Sequence, residues 1–345
     1  MSNSNLHAPS PELTSVSDTE AVFHLGEEVR TYDDLAPDSN HELEGMTVRT
    51  LPQPGDLLCR FATVNDVHFG EVAAGMVGDT EGLHALGSAP GEEPYPEMMN
   101  RAAISEIAEI EPAAVVAKGD LTTRGTPEEY QLFLDHYGEA FGDRLTHVRG
   151  NHDAYSGETH AANGPVRVEL PGVTLAVLDT VIPTETTGQI TNEQLEWLGD
   201  LAADSEGPLL VFGHHQTWMP GSKKRSPDYF GINPDDSEAL VSVIEAHHNI
   251  HGYFAGHTHR NRVRLAPQTG KIPFVEVACV KDYPGTWAEY RVFDGGILQV
   301  HRRISTPVAL AWSDRCRKLY APMIDYTEYA LGPIDHRCFL IDGTR

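Results

Sequence analysis

Seven side chains of metal-ligand type stand in five short motifs. The motifs are Asp66-Val67-His68, Gly119-Asp120, Gly150-Asn151-His152-Asp153, Gly213-His214-His215 and Gly256-His257-Thr258-His259. The seven are Asp66, His68, Asp120, Asn151, His214, His257 and His259, spaced for one dinuclear site. Carboxylate, carboxamide oxygen and imidazole together suit Mn, Fe or Zn, and the absence of thiolates argues against a structural zinc. In extended chain alternate residues point the same way, so the DxH and HxH spacings each aim two donors at one cation. The glycines supply tight turns and let backbone approach a ligand closely.

Taken singly, each motif has a plainer reading. Gly150-Asn151-His152-Asp153 could be a turn with Asn left-handed and Asp capping the next helix. His214-His215 could be a satisfied, partly buried pair, and His247-His248 reads as one. Five motifs in chain order, each directly after an apolar strand, are not explained by turns. Ligands in layered α/β folds bind beyond the carboxyl ends of strands, so the five are expected to converge on one crevice.

The elements that must position them follow from hydrophobic pattern. Strands are predicted at 57–64, 113–117, 145–148, 173–178, 209–212, 252–255, 274–278, 287–293 and 297–302, with helices at 97–109, 127–141, 191–203 and 236–248. The last three strands follow one another without helices, so the sheet system ends in an antiparallel portion. Residues 1–20 have the composition of a disordered tail and 21–56 read as a small β extension. The main domain is placed at 57–302 and a C-terminal helical extension at 303–345, with a helix over 313–329. Segment 71–96 is Gly- and acid-rich, too long for an ordinary connection, and such loops are often functional.

Composition narrows the partners. The chain has 345 residues and a net charge of −26, and its first lysine is Lys118. So acidic a surface repels phosphate backbones and anionic membranes, so neither nucleic acid nor membrane is expected as partner. No stretch reaches the roughly 18 apolar residues of a membrane span, and the first residues lack the basic and apolar regions of a secretory signal. A cytoplasmic protein with reduced Cys59, Cys279, Cys316 and Cys338 is expected; Cys316 with Cys338 is the pair to watch. The run Lys223-Lys224-Arg225 reads either as a solvated loop or as a rim that attracts an anionic substrate. A homodimer stays open.

The motif series resembles the calcineurin-like metallophosphoesterase superfamily, whose DxH, GD, GNH(D/E), further His and GHxH are matched from Asp66 to His259. The resemblance implies an α/β four-layer αββα sandwich of two mixed β-sheets flanked by helices. It puts Asp66, His68 and His259 on a first metal, Asn151, His214 and His257 on a second, and Asp120 between them. His152 would be a catalytic non-ligand facing the phosphoryl oxygens. The run from Gly119 to Gly125, Leu178-Asp179-Thr180, and Gly188 followed by Gln194-Leu195-Glu196-Trp197-Leu198 look most like class III cyclic-nucleotide phosphodiesterases and glycerophosphodiesterases. Protein phosphatases of the superfamily carry an Asp, and purple acid phosphatases a metal-binding Tyr, where this chain has Thr123. The lipid A pathway diesterases lack the His found at His152.

The expected reaction is hydrolysis of a small phosphodiester, a 3',5'-cyclic nucleotide such as cAMP or a glycerophosphodiester. Two cations about 3.5 to 4 Å apart lower the pKa of bridging water and clamp the phosphoryl oxygens, so a metal-bridging hydroxide attacks in line with the leaving alkoxide. Asp153 is read as helping to orient His152. The alternatives are a phosphomonoesterase or nuclease of the same chemistry, and a non-catalytic scaffold of the same fold. A scaffold should show a degraded ligand set, and here all seven positions are intact.

Overall fold

A computed structural model of the chain describes residues 10–77, 80–219 and 229–342. Two six-stranded mixed sheets form its centre. The first runs in the order Leu145–Val148, Val115–Lys118, Leu57–Val64, Thr286–Phe293, Gly296–Arg303, Phe339–Ile341. Its first three strands are parallel and the others antiparallel. The second runs Val166–Leu170, Val173–Val177, Leu209–Phe212, Ile250–Ala255, Pro273–Glu276, Arg262–Leu265. Its four inner strands are parallel and both outer ones antiparallel.

Side-chain alternation explains why the sheets stack. On Leu57–Val64, Phe61 points into the layer between the sheets while Ala62 and Val64 face the outer helices. On Leu209–Phe212, Leu210 and Phe212 face inward and Leu209 and Val211 outward. Inside, the rings of Phe61 and Tyr290 stack at 4.5 Å. Both faces of these strands are therefore apolar, as strands buried on both sides must be. The helix Tyr95–Glu109 covers the first sheet, with Met99, Ala103 and Ile107 buried on it. Helices Asn192–Asp204 and Pro234–Ala246 cover the second. The result is the four-layer αββα sandwich. Each of the last two helices starts at a side-chain cap, Thr191 accepting from Gln194 N–H and Asn233 from Asp236 N–H.

Several expectations are corrected. The stretch read as a disordered tail contains the strand Glu12–Val16, which pairs with Ala21–Leu25 and through it with Glu28–Tyr32. Its polar composition hid it. Thr14 and Ser15 are buried because neighbouring carbonyls accept their hydroxyls, Val22 at 3.1 Å in the case of Thr14 and His301 in that of Ser15. The long loop after Glu71 holds a hairpin, Ala74–Val77 with Thr80–Leu86. No single helix spans 313–329. Pro307–Arg315 ends in a 3₁₀ turn, and a new helix, Tyr326–Leu331, begins at a capping Asp325. Pro322 between them lacks an N–H and biases its predecessor away from helix. The C-terminal segment also returns a strand, Phe339–Ile341, to the first sheet, so it belongs to the core architecture. Each of the four cysteines is a free thiol, and Cys316 and Cys338 lie in different core clusters. Among the described residues no helix is long and apolar enough to cross a membrane.

Candidate metal centre

All five motifs leave the carboxyl ends of parallel strands, three in the first sheet and two in the second. Backbone hydrogen bonds lock the turns together: Asp66 N–H donates to Gly119 O at 3.1 Å, His68 N–H to Asp120 O at 3.0 Å, and Gly256 N–H to His214 O at 2.9 Å. Gly119 has φ +84°, and a Cβ there would lie 2.6 Å from His214 Nδ1 and 2.8 Å from Gly150 N. Only glycine lets these turns approach so closely.

The spacing argument assumed the wrong backbone. Asp66 and His68 are not extended: their φ values are 52° and 47°, and His257 and His259 have 67° and 52°. Asp120 is left-handed as well, with φ 48°. Such conformations cost of order 1–3 kcal/mol each and persist where surrounding contacts over-determine them. Five of them in one site mark it as a place where donor geometry outranks backbone comfort.

The donor atoms converge. Asp120 Oδ2 is 3.5 Å from His68 Nε2 and 3.3 Å from His214 Nε2. Asn151 Oδ1 is 3.1 Å from His214 Nε2, and Asp66 Oδ1 is 3.5 Å from His259 Nε2. Asp66, His68 and His259 form one group with donors within 4.8 Å of one another, and Asp66, Asp120 and His214 another. Asp66 stands in both, and Asp120 Oδ2 reaches His68 of the first and His214 of the second. His257 borders the second through His214 and His215, in a third group of the same tightness. Two donors bonded at about 2.1 Å to one ion stand roughly 3.0–3.4 Å apart, close to these separations.

Tautomers can be read from the outer hydrogen bonds. His214 Nδ1 donates to Lys118 O at 2.8 Å, which makes Nε2 the nitrogen turned to two oxygens, Asn151 Oδ1 and Asp120 Oδ2. His257 Nε2 donates to Phe230 O at 2.7 Å, which leaves Nδ1 as its free donor. Both ring nitrogens of His68 are buried without any hydrogen bond. Donor atoms crowded on one point, and a buried imidazole with no hydrogen bond, are what a cation would satisfy. The residues fit a metal pair.

By the protein groups alone the charges are strongly perturbed. Burial would raise Asp120, but His214, His152 and His68 hold it well below the carboxylate range. Burial would lower His214, but Asp120 and Asp66 bring it up to about 9. Burial, then Lys281, push His68 well below its usual value.

His152 is outside the expected ligand set but lies with His68 and Asp120 in a donor group of the same tightness. Its N–H donates to Asp120 Oδ1 at 2.9 Å, and its Nδ1 to the carbonyl of Thr123 at 2.9 Å. Asp153 does not orient it. The Asp153 carboxylate instead accepts from Leu121 N–H, Thr122 N–H, the Thr122 hydroxyl and Gly150 N–H at 2.6–3.0 Å, tying the Asp120 turn to the Asn151 turn. Asp179 pairs with Arg149 at 2.7 Å just behind that turn. His215 is buried and held by Thr180 at 2.8 Å. Lys223-Lys224-Arg225 lie outside the described residues.

Asp282, Phe230 and Tyr155 were not singled out from sequence. Phe230 is 42% exposed and its ring lies 5.2 Å from that of His257. Tyr155 packs 4.7 Å from His152 and its hydroxyl accepts from Asn151 Nδ2 at 2.7 Å. Of these only Tyr155 has a local signal, four residues after Asn151 on the same short turn.

A family model described as calcineurin-like phosphoesterase matches residues 59–261, more than half of the chain. The glycerophosphodiester phosphodiesterase GpdQ of Enterobacter lignolyticus is 26% identical over 161 residues, 43% of this chain and 56% of its own. The cAMP/cGMP dual specificity phosphodiesterase MT0825 of Mycobacterium tuberculosis is 26% identical over 161 residues, 44% of this chain and 49% of its own. The chain therefore spans about half the length of these curated relatives. A solved dimetal phosphatase from Danio rerio is 15% identical with a TM-score of 0.54, covering 72% of this chain and 97% of its own, a likeness of fold.

Proposed function

Because the chain belongs to the calcineurin-like phosphoesterase family, we propose that it is a metal-dependent phosphodiesterase for a small diester, a 3',5'-cyclic nucleotide before a glycerophosphodiester. The observation that carries the reading is Asp120 Oδ2 standing 3.5 Å from His68 Nε2 and 3.3 Å from His214 Nε2, a carboxylate shared by two donor groups. Asp66, His68 and His259 would hold one ion, and Asn151, His214 and His257 the other, with Asp120 common to both. Bound there, Mn, Fe or Zn ions would supply a water nucleophile at neutral pH and neutralise charge on the phosphoryl oxygens.

The protein's own groups supply the rest. Protonated His152 donates through Nδ1 to Thr123 O, which orients the ring and frees Nε2–H to protonate the departing alkoxide. The Asp153 cross-link keeps the Asp120 and Asn151 turns at fixed separation. Phe230, 42% exposed, lies beside His257 and Tyr155 beside His152, aromatic rings of the kind on which a nucleobase stacks and a glycerol does not. This favours the cyclic nucleotide, and the acidic chain, at −26, disfavours a polyanionic nucleic acid. Turnover of cyclic nucleotides, glycerophosphodiesters and monoesters by manganese-loaded protein tests the reading. Fastest kcat/KM on a cyclic nucleotide is expected, and monoester preference would replace the proposal with a phosphatase.

A further inference from the structure

Asp282 lies beyond the strand Pro273–Glu276 and outside every motif. Its carboxylate is completely buried. Oδ1 accepts from the Tyr326 hydroxyl at 2.7 Å and the Cys279 thiol at 3.1 Å. Oδ2 has no hydrogen bond and sits 3.7 Å from His259 Nδ1 and 3.7 Å from Lys281 Nζ. Lys281 is itself fixed by both oxygens of Glu71, at 2.6 and 2.7 Å. On the far side of the same imidazole, His259 Nε2 faces Asp66 Oδ1 at 3.5 Å.

A carboxylate opposite Nδ1 favours the proton there and leaves the lone pair on Nε2, the nitrogen turned to the metal group. At 3.7 Å the contact is an ion-pair distance rather than a hydrogen bond. His259, Cys279 and Asp282 also lie close enough to suggest a cation site of their own. The Cys279 thiol, however, is turned to Asp282 Oδ1, to which it donates at 3.1 Å.

We propose that Asp282 is a positioning residue that sets the tautomer and ring orientation of His259 for the first metal ion, and that Tyr326, from the C-terminal segment, holds Asp282 in place. The inference rests on the metal reading above. It makes the segment after residue 303 part of the metal centre's support.

The test is Mn²⁺ titration of purified, metal-stripped full-length protein by calorimetry, comparing wild type, Asp282→Asn, Tyr326→Phe and Asp66→Ala. Asp282→Asn should weaken one of two Mn²⁺ affinities by about 10- to 100-fold and leave the other unchanged. Tyr326→Phe should weaken the same affinity by a smaller factor, with the metal-stripped melting temperature near wild type. Unchanged affinities in both variants, while Asp66→Ala loses one, would overturn the inference and leave the metal reading standing. Equal weakening of both affinities alongside a lowered melting temperature would reduce Asp282 to a folding role and also overturn it. If Asp66→Ala itself keeps both affinities, the metal reading fails first. Should Asp282→Asn not fold, Tyr326→Phe decides alone: an unchanged affinity there overturns the proposal.

Discussion

His152 Nδ1 donates to the main-chain carbonyl of Thr123 at 2.9 Å. The position at which related protein phosphatases carry an orienting carboxylate thus still orients the histidine, but through backbone. Thr123's own hydroxyl is turned to the carbonyl of His68 at 3.1 Å. A carbonyl accepts the Nδ1 proton without adding a formal charge beside the imidazole.

If His152 is the general acid, its value depends on how badly the leaving oxygen needs a proton. His152→Ala should slow hydrolysis of a cyclic nucleotide, whose alkoxide leaves poorly, by about 10²- to 10⁴-fold. Bis(p-nitrophenyl) phosphate should lose much less, since nitrophenolate leaves unprotonated. Single-turnover rates with both metals bound check this, and equal losses would assign His152 to charge stabilisation.

Asp120→Ala should abolish activity and lower occupancy of both ions, because Oδ2 faces both donor groups. His259→Ala should empty chiefly one, because its Nε2 faces Asp66 Oδ1 in the group with His68 and it shares no group with His214 or His257 among the described residues. Metal analysis per chain measures the difference. Two metals and near-normal turnover in Asp120→Ala would refute the shared assignment.

Phe230→Ala removes the exposed ring beside His257. Base stacking on an aromatic side chain contributes about 1–3 kcal/mol, so KM for the cyclic nucleotide should rise about 5- to 150-fold. KM for a glycerophosphodiester should barely move. Steady-state kinetics on both substrates test it, and parallel changes would remove the stacking role.

Glu289 is buried between Arg302 at 2.6 Å and Arg291 at 2.8 Å. Burial would raise its pKa, but the two guanidiniums bring it down to about 2. With the folded pKa depressed, the stabilisation is present above the ordinary carboxylate range and is lost as pH falls from about 4.5 to about 2. Glu289→Gln should therefore cost about 3 kcal/mol at pH 7, with the gap to wild type narrowing below pH 4. Denaturant melts at both pH values measure it, and a pH-independent gap would contradict the charge argument.

The seven donor residues and His152 were legible because each motif is local. A strand's apolar run, a glycine and the polar residue after it lie within a few positions, and parallel strands must end on the same side of their sheet. The strands Leu57–Val64, Leu145–Val148 and Leu209–Phe212 fall where hydrophobic pattern alone puts them. The left-handed backbone of Asp66, His68, Asp120, His257 and His259 was not legible, since no residue type there demands it and only contacts between turns impose it. Glu12–Val16 escaped because its composition is polar although its partner Ala21–Leu25 is close by, and Phe339–Ile341 escaped because its partner Gly296–Arg303 lies far back along the chain. Asp282 was invisible for the same reason. Its partner Tyr326 is 44 residues away, and no periodicity links two positions that meet only when the C-terminal segment packs against the first sheet. The candidate donors are thus named by the sequence, whereas what orients each of them is decided by tertiary packing, because the supporting contacts join residues whose separation along the chain carries no signal.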